Sequence, residues 1–151
     1  MDKTPTPTGI TIGIKEIKLL QYESTTRIQE IKKQLPNDAY EFQFDLQWNP
    51  IDEEKLFNST ISVTLYEKQS TETKVELVNM KVLISFAVIN YDEVIKKENG
   101  LTLIPDQLII VTSGVLVSTA RGMFALNTKD SIVNNAIIPI INPQVFLPKK
   151  T

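Results

Sequence analysis

Alternating apolar and polar residues predict two neighbouring β-strands in the first half of the chain. In residues 41–48 every second residue is apolar, from Phe42 to Trp48, and the residues between them are polar. This period of two is typical of an antiparallel strand with one buried and one wet face. Residues 59–68 alternate in the same way. Asn49 and Pro50 are expected to end the first of these strands.

A third strand is predicted over residues 74–90, after a polar turn at residues 69–73 that favours a hairpin. From Val82 to Ile89 this strand is apolar on both faces, apart from Ser85. A strand with this composition is buried on both sides, and the cover comes from a helix, another sheet or another subunit.

The start of the chain predicts a further strand, over residues 14–26, with a break in its pattern. The isoleucines between residues 10 and 14 share one parity, whereas Ile17 and Leu19 have the other. A slip of one residue sends the later apolar side chains to the opposite face, unless the strand bulges or bends. We therefore expect a bulge or a bend near Lys15.

Residues 27–40 leave two alternatives open. Ile28, Ile31 and Leu35 have helix-like spacing, but the sequence Pro-Asn-Asp at residues 36–38 stops the run quickly. The segment is either one or two helical turns, or a loop that lays three apolar side chains on the domain.

Residues 105–126 predict the one long helix. Pro105 suits the first helical position, and Asp106 favours the helix dipole in the first turn. No charge occurs from residue 108 to residue 120, and the helix is expected to end near Asn127 and Thr128. A membrane span is the alternative, but it needs roughly 20 apolar residues. The uncharged stretch is shorter than that and contains serine and threonine, so a buried helix of the domain is expected.

Small residues lie at four-residue spacing along this helix, at Gly114, Ser118 and Gly122. Such a stripe lets another backbone approach closely. It indicates either a helix–helix contact between subunits or tight packing of the helix on its own sheet.

Arg121 stands alone in the helix, and it either contacts a client or a partner subunit, or pairs with an acidic residue near the helix end.

The last apolar segment, residues 132–147, is irregular in its first part because Pro139 excludes a regular helix or a central strand. Asn142 is a good helix N-cap and Pro143 a good first helical position. A short terminal helix is therefore predicted from Pro143. The whole pattern predicts an α+β fold, in which a four-stranded antiparallel sheet packs with one long helix and a short C-terminal helix.

No linker is long enough to divide the chain, so one domain is predicted over residues 10–148, after an N-terminal tail at residues 1–9. The tail has no basic start and no apolar stretch, which does not fit a signal peptide, and a cytoplasmic protein is expected.

The net charge of −2 and the short, scattered lysine pairs argue against a nucleic-acid partner.

Two residue types with catalytic and metal-binding chemistry are missing. The 151-residue chain has no cysteine and no histidine, so thiolate nucleophiles, Ser–His–Asp sites and the commonest metal ligand are excluded. Carboxylate or Ser–Lys pairs remain available, but no spacing supports them. The acidic residues 52–54 are interpreted as a solvated turn, since nothing supplies further metal ligands. We expect a protein that binds rather than catalyses, with no cofactor.

Several segments resemble the SecB family of export chaperones. The sharpest similarity lies in residues 118–122, followed by an Asn-rich turn and by the sequence Ile-Pro-Ile-Ile-Asn-Pro at residues 138–143. The strand at residues 42–48, with the turn at residues 52–56, is similar to the second strand of the family and its connection to the third. The resemblance covers residues 14–147.

The resemblance implies an ATP-independent holdase that binds non-native polypeptides and assembles as a dimer of dimers. Sheets would stack across the dimer, and the helices would mediate the tetramer contact. Clients would lie in apolar grooves between the sheet, the loop after the first strand and the C-terminal region. Some relatives pass clients to SecA, and others protect an antitoxin. The terminal helix is shorter here, the ending is basic, and the acidic sheet surface that docks SecA is thin.

Apolar residues of the loop, the strand end and the C-terminal segment are the candidates for lining such a groove, although each is equally suited to the core. They are Ile28, Ile31, Leu35, Tyr40, Trp48, Ile137, Ile138, Ile141, Val145, Phe146 and Leu147. Two other hypotheses accompany the holdase. One is a structural or adaptor subunit of the same fold with a single dedicated partner, and the other is an enzyme that uses carboxylates or Ser–Lys chemistry.

Overall fold

The computed structural model describes residues 9–149, so the predicted tail lies outside the described residues except for Gly9. The described part folds into one sheet of four strands, a separate two-stranded hairpin and one long helix. The elements, in chain order, are β1 (Ile12–Ser24), α1 (Arg27–Glu30), a 3-10 turn (Asn37–Ala39), β2 (Tyr40–Ile51), β3 (Leu56–Lys68), β4 (Lys74–Val88), α2 (Tyr91–Val94), β5 (Lys96–Glu98), β6 (Leu101–Leu103), α3 (Asp106–Thr128) and a second 3-10 turn (Pro143–Phe146).

The four long strands form an antiparallel sheet in the order β1-β4-β3-β2. β3 and β4 are central, whereas β1 and β2 are the edges. Helix α3 packs on β3 and β4, and every second residue of β3 faces it and is fully buried, as Ile61, Val63 and Leu65 are. The predicted α+β architecture is confirmed. The short terminal helix is one 3-10 turn, and the Asn142 side chain caps it by accepting a hydrogen bond from Gln144 N at 3.1 Å.

The pattern break in β1 is confirmed as a bulge at Lys15. Ile14 pairs with Phe86 and Glu16 with Ser85, so Lys15 is the extra residue. The bulge returns Ile17 to the face that Ile14 occupies, which is the face that α3 covers further along the sheet. A second irregularity follows Leu19. The strand runs from Ile12 to Ser24, two residues earlier than predicted at each end.

The predicted stop at Asn49 and Pro50 is wrong, because β2 continues to Ile51 and Pro50 pairs with Phe57. Proline is tolerated within a strand when that strand lies at the edge of a sheet. β2 has β3 on one side only, so the missing N–H of Pro50 interrupts no ladder on the other side.

The hairpin of β5 and β6 was not predicted. Its two-residue turn consists of Asn99 and Gly100, which have φ angles of 52° and 77°. Asn-Gly is the strongest short hairpin signal, since this type of turn needs a positive φ at both positions, so the sequence did contain the information.

The turn at residues 52–54 is exposed at Glu53 and Glu54, as expected for a solvated turn, whereas Asp52 is half-buried and anchors the neighbouring hairpin. Asp52 forms an ion pair with Lys97, and Tyr91 Oη donates to its carboxylate at 2.6 Å. The Lys97 ammonium, together with the Tyr91 hydroxyl, holds the pKa of Asp52 below its ordinary value. Among residues 9–149, no group of three acidic side chains is placed to hold a metal ion.

Helix α3 spans Asp106–Thr128 and ends where it was predicted to end. Pro105 lies one position earlier than expected, since it is the N-cap residue and not the first helical residue. By length and hydropathy α3 could cross a membrane, but nine of its residues are buried inside the protein. Two of them, Leu116 and Phe124, belong to the central core beneath the sheet, so α3 serves as the core helix of the domain.

β4 is fully buried on one face and partly buried on the other, where Ser85 is 5% exposed. Val82, Ile84 and Phe86 lie fully buried on the side of α3, whereas Leu83 and Ala87 on the opposite face are half-buried. The doubly apolar sequence predicted burial on both sides, and in residues 9–149 full burial holds for the face that α3 covers. It leaves an apolar strip on the far face that the described chain covers incompletely.

A candidate peptide-binding groove

The aromatic face of β2 forms one wall of an open groove. Tyr40, Phe42 and Phe44 share a parity and point to the side of the sheet that carries α3. They are only half-buried, because α3 packs mainly on the central strands and leaves the edge strand partly uncovered. An edge strand with aromatic side chains that its own domain does not fully cover is a surface available for a ligand.

The aromatic wall is continuous with the core. Phe124 of α3 meets Phe42 edge to face, with ring centroids 5.4 Å apart, and Phe42 stacks on Phe44 at 6.0 Å. Offset and edge-to-face contacts of this kind hold aromatic rings in fixed positions. The groove wall is therefore rigid, because its middle ring rests on a fully buried residue of the long helix.

The irregular link between α3 and the terminal turn spans residues 129–142, and its residues 135–139 form the opposite wall. Arg121 fixes this link, because Nε donates to the carbonyl of Ile138 and a terminal nitrogen donates to the carbonyl of Pro139, both at 2.9 Å. Arg121 was expected to bind an acidic residue, a client or another subunit. Its partners in the described chain are instead backbone carbonyls, which a Pro-containing segment without regular structure leaves unpaired.

The two walls enclose a cavity of about 450 Å³ that is open to solvent. Its volume lies within the roughly 300–1,000 Å³ of ligand pockets in proteins. It combines aromatic rings, an aliphatic side chain and a few amide groups. The lining residues are Asn37, Tyr40, Glu41, Phe42, Phe44, Asn135, Ala136, Ile137 and Pro139.

Asn135 closes one end of the groove with its side-chain amide. Its nitrogen donates to the carbonyl of Leu35 at 2.7 Å and to Asn37 Oδ1 at 3.0 Å, and its oxygen accepts from Tyr40 Oη at 2.8 Å. Burial, with a smaller contribution from Glu67, raises the pKa of Tyr40 above its ordinary value. The phenol therefore stays protonated at neutral pH and keeps donating to Asn135.

The loop before β2 is anchored at its start by a partly buried ion pair. Arg27 of α1 binds both carboxylate oxygens of Glu67, with its terminal nitrogen 2.9 Å from each. Glu67 lies at the end of β3 and is almost fully buried. This bidentate contact fixes the direction in which the chain leaves the sheet. The structure thus contains both expected forms, a single helical turn and a loop with apolar contacts.

The structure separates the predicted groove residues into three groups. Tyr40 and Ile137 line the cavity, and Ile137 is 69% exposed. Ile31 and Ile138 are buried in the core, which leaves their side chains no surface for a client. The remaining candidates do not line the cavity and are half-buried except for the exposed Val145, and they are Ile28, Leu35, Trp48, Ile141, Val145, Phe146 and Leu147.

Several groove residues were missed by the sequence reasoning. Phe42 and Phe44 were assigned to the buried face of a strand, and alternation could not show that this face is only half covered. Asn135 carried no recognisable signal, because asparagine in a turn is common. Its partners Leu35 and Asn37 lie about a hundred residues earlier, a distance that a single sequence does not bridge.

The stripe of small residues on α3 has two environments. At Gly114 an added Cβ would lie 3.5 Å from Pro143, so this glycine allows the terminal turn to pack against the helix. Ser118 and Gly122 are exposed, and nothing lies within 4 Å of a Cβ at Gly122. The close packing is therefore with the C-terminal turn at Gly114 and not with the sheet. The other two positions are free to meet a partner.

No protein-family model matches the sequence, and no curated protein matches it. The fold is similar to that of the SecB-like chaperone Rv1957 of Mycobacterium tuberculosis, solved in complex with a ChAD peptide from the antitoxin HigA1. The TM-score is 0.54, with 13% identity over 86% of this chain and 90% of that chain. A protein of unknown function from Streptococcus agalactiae aligns with a TM-score of 0.41, 9% identity and coverage of 89% of this chain and 99% of that chain. At 13% identity, the first similarity establishes a SecB-like fold.

Proposed function

We propose that this chain is an ATP-independent holdase chaperone that binds non-native polypeptide segments in the groove between β2 and the link at residues 135–139. The observation that carries the proposal is the open cavity of about 450 Å³ with Tyr40, Phe42 and Phe44 on one wall and Ile137 on the other. The free energy falls when an apolar segment covers the exposed apolar residues of these walls. No acid–base chemistry is needed, which fits a non-enzyme without histidine or cysteine.

A groove of this size holds a few side chains at a time. Binding of a long unfolded chain would then add up over several weak contacts, because each one raises the effective concentration of the next segment. Residues along the same surface, such as Val145 and Phe146, would extend the contact beyond the cavity. This mode requires little sequence specificity, which is what a protein that retains many clients needs.

Two kinds of client are proposed, exported proteins and an antitoxin. The structural neighbour Rv1957 is bound to an antitoxin peptide, which supports a peptide as the partner. Transfer to SecA has less support, because the exposed acidic residues on the polar face of β2 are limited mainly to Glu41 and Asp45, and Glu41 is paired with Lys74 at 3.0 Å. A cytoplasmic location belongs to the same proposal.

The holdase is tested by the aggregation of several chemically denatured clients, diluted into buffer with and without the purified full chain and without nucleotide. We expect suppression at stoichiometric or lower ratios. Unchanged light scattering for every client would reject the holdase. The alternative, an adaptor of the same fold, predicts indifference to generic unfolded chains and stable co-purification with one dedicated partner.

Self-association through α3 is the second part of the proposal. The helix presents an uncharged, exposed face formed by Val111, Ser118, Gly122 and Leu126. On β1, Ile14 and Ile17 face the same side of the sheet and are also exposed, since α3 packs mainly on β3 and β4 and meets β1 at Tyr22, whose hydroxyl donates to Asn127 O. A second copy of the chain would cover these surfaces, and a dimer of dimers would provide two such contacts.

We expect Gly122→Glu to convert the assembly into smaller species without unfolding it. The side chain has open space, and a carboxylate would have to be desolvated in the contact between helices. Sedimentation velocity measures the change. Gln43→Glu adds the same charge on the exposed face of β2 and should leave the size unaltered. A wild-type monomer at high concentration, or an assembly that tolerates Gly122→Glu, would contradict the use of this face.

A further inference from the structure

The segment at residues 32–38, which we call the strap, connects α1 to β2, and within residues 9–149 its first four residues, 32–35, form no hydrogen bond between backbone groups. At the end of the strap, the 3-10 turn supplies two backbone hydrogen bonds, from Ala39 N to Pro36 O at 2.9 Å and from Tyr40 N to Asn37 O. Lys32, Lys33 and Gln34 are exposed. A segment that lacks ladder or helix bonds opens at low free-energy cost unless side chains hold it.

Side chains from the link hold the strap closed. Asn135 donates to the carbonyl of Leu35 and to the side chain of Asn37, and Gln34 hydrogen-bonds to Asn134. Beneath these bonds, Leu35 packs against the core and covers part of its apolar surface. Asn37, near the C-terminal end of the strap, lines the cavity.

We propose that Asn135 is the positioning residue that keeps the strap closed, and that the strap is the gate of the groove. When the strap opens, the apolar surface under Leu35 becomes continuous with the cavity and lengthens the groove for a client. The gate rests on the holdase proposed above, whereas the anchoring of the strap by Asn135 does not.

Substitutions of Asn135 and of its partners separate the hydrogen bonds that Asn135 donates to the strap from the one that it accepts from Tyr40. Asn135→Asp keeps an oxygen that accepts from Tyr40 but removes both donors to the strap. Tyr40→Phe does the reverse, because it removes only the hydroxyl that binds Asn135. Asn37→Ala removes one of the two hydrogen bonds that Asn135 donates to the strap. If Asn135 anchors the strap, the strap should open most readily in Asn135→Asp and less readily in Asn37→Ala. In Tyr40→Phe it should open as rarely as in the wild type.

Limited trypsin digestion of the full chain measures opening without any client. Lys32 and Lys33 provide cleavage sites inside the strap, and mass spectrometry identifies the fragments. Each neutral hydrogen bond changes an equilibrium by roughly fivefold, so we expect Asn135→Asp to accelerate cleavage at these sites about tenfold or more. The thermal midpoint should remain near that of the wild type. Cleavage at the wild-type rate in Asn135→Asp would overturn the anchoring role.

Stopped-flow fluorescence tests the gate. It measures the rates at which reduced and alkylated lactalbumin, a permanently unfolded probe, binds to the chain and dissociates from it. Asn135→Asp should bind and release the probe several-fold faster, and Gln43→Glu, which adds the same charge on the exposed face of β2 outside the cavity, should match the wild-type rates. Faster cleavage with unchanged probe association would overturn the gate while leaving the anchor in place. If the wild-type chain binds no probe at all, the holdase and its gate both fail, and the digestion still decides whether Asn135 anchors the strap.

Discussion

Replacement of Ile137 by glutamate is expected to weaken client binding by roughly tenfold or more, which corresponds to about 1.4 kcal/mol or above. Ile137 is an exposed aliphatic side chain of the cavity lining, at 69%. The substitution removes an apolar contact, and it places a carboxylate that must lose water when an apolar segment binds. Because the side chain projects into solvent, the fold itself should be unaffected. Titration of the unfolded probe measures the dissociation constant.

Ile140 provides the matched control for this experiment. It belongs to the same link, is 92% exposed and does not line the cavity. Ile140→Glu therefore introduces the same charge into the same segment without touching the groove. Equal losses in the two variants would mean that the link acts through its general hydrophobicity, and an unaltered affinity in Ile137→Glu would reject the groove as the client site.

The largest effect on stability is expected from Phe124→Ala, which should lower the free energy of unfolding by about 3–5 kcal/mol. Phe124 is 1% exposed, and its ring supports Phe42 of the groove wall. Truncation leaves a cavity and removes the edge-to-face contact. Denaturant unfolding followed by circular dichroism measures the change. Client affinity should fall as well, because Phe42 loses the contact that fixes its ring.

Leu126→Ala is the control on the same helix. Leu126 is 70% exposed, so the expected change in the free energy of unfolding is within about 0.5 kcal/mol. If Phe124→Ala also falls within that range, the core does not depend on the contact between α3 and the aromatic wall. If stability falls but affinity stays constant in Phe124→Ala, the wall does not need its support from the core.

The sequence predicted the fold better than the site because the fold follows from local periodicity. Alternation placed Phe42 and Phe44 on one face of β2, and the slip near Lys15 located the bulge. Where a local rule depends on position in the sheet, the prediction failed. Pro50 was taken as a strand end, whereas its edge position makes it harmless.

The groove depends on partners that are far apart in the chain. Asn135 joins Leu35 and Asn37 across about a hundred residues, and Arg121 holds carbonyls of a segment without regular structure. Periodicity carries no information on such contacts. For the same reason, sequence alone could not distinguish Ile137, which projects into the groove, from its buried neighbour Ile138.

The order of elements along the chain has a consequence during synthesis. β1 pairs with β4, so Ile12 meets its partner Val88 after 75 intervening residues have been translated. The sheet is then complete, but α3, which covers its apolar face, is still to be made, and it ends only at Thr128. Nascent sheets with bare apolar faces are prone to aggregate. For that interval, the growing protein displays the kind of surface that its mature groove is proposed to bind, and a finished copy nearby would be suited to cover it.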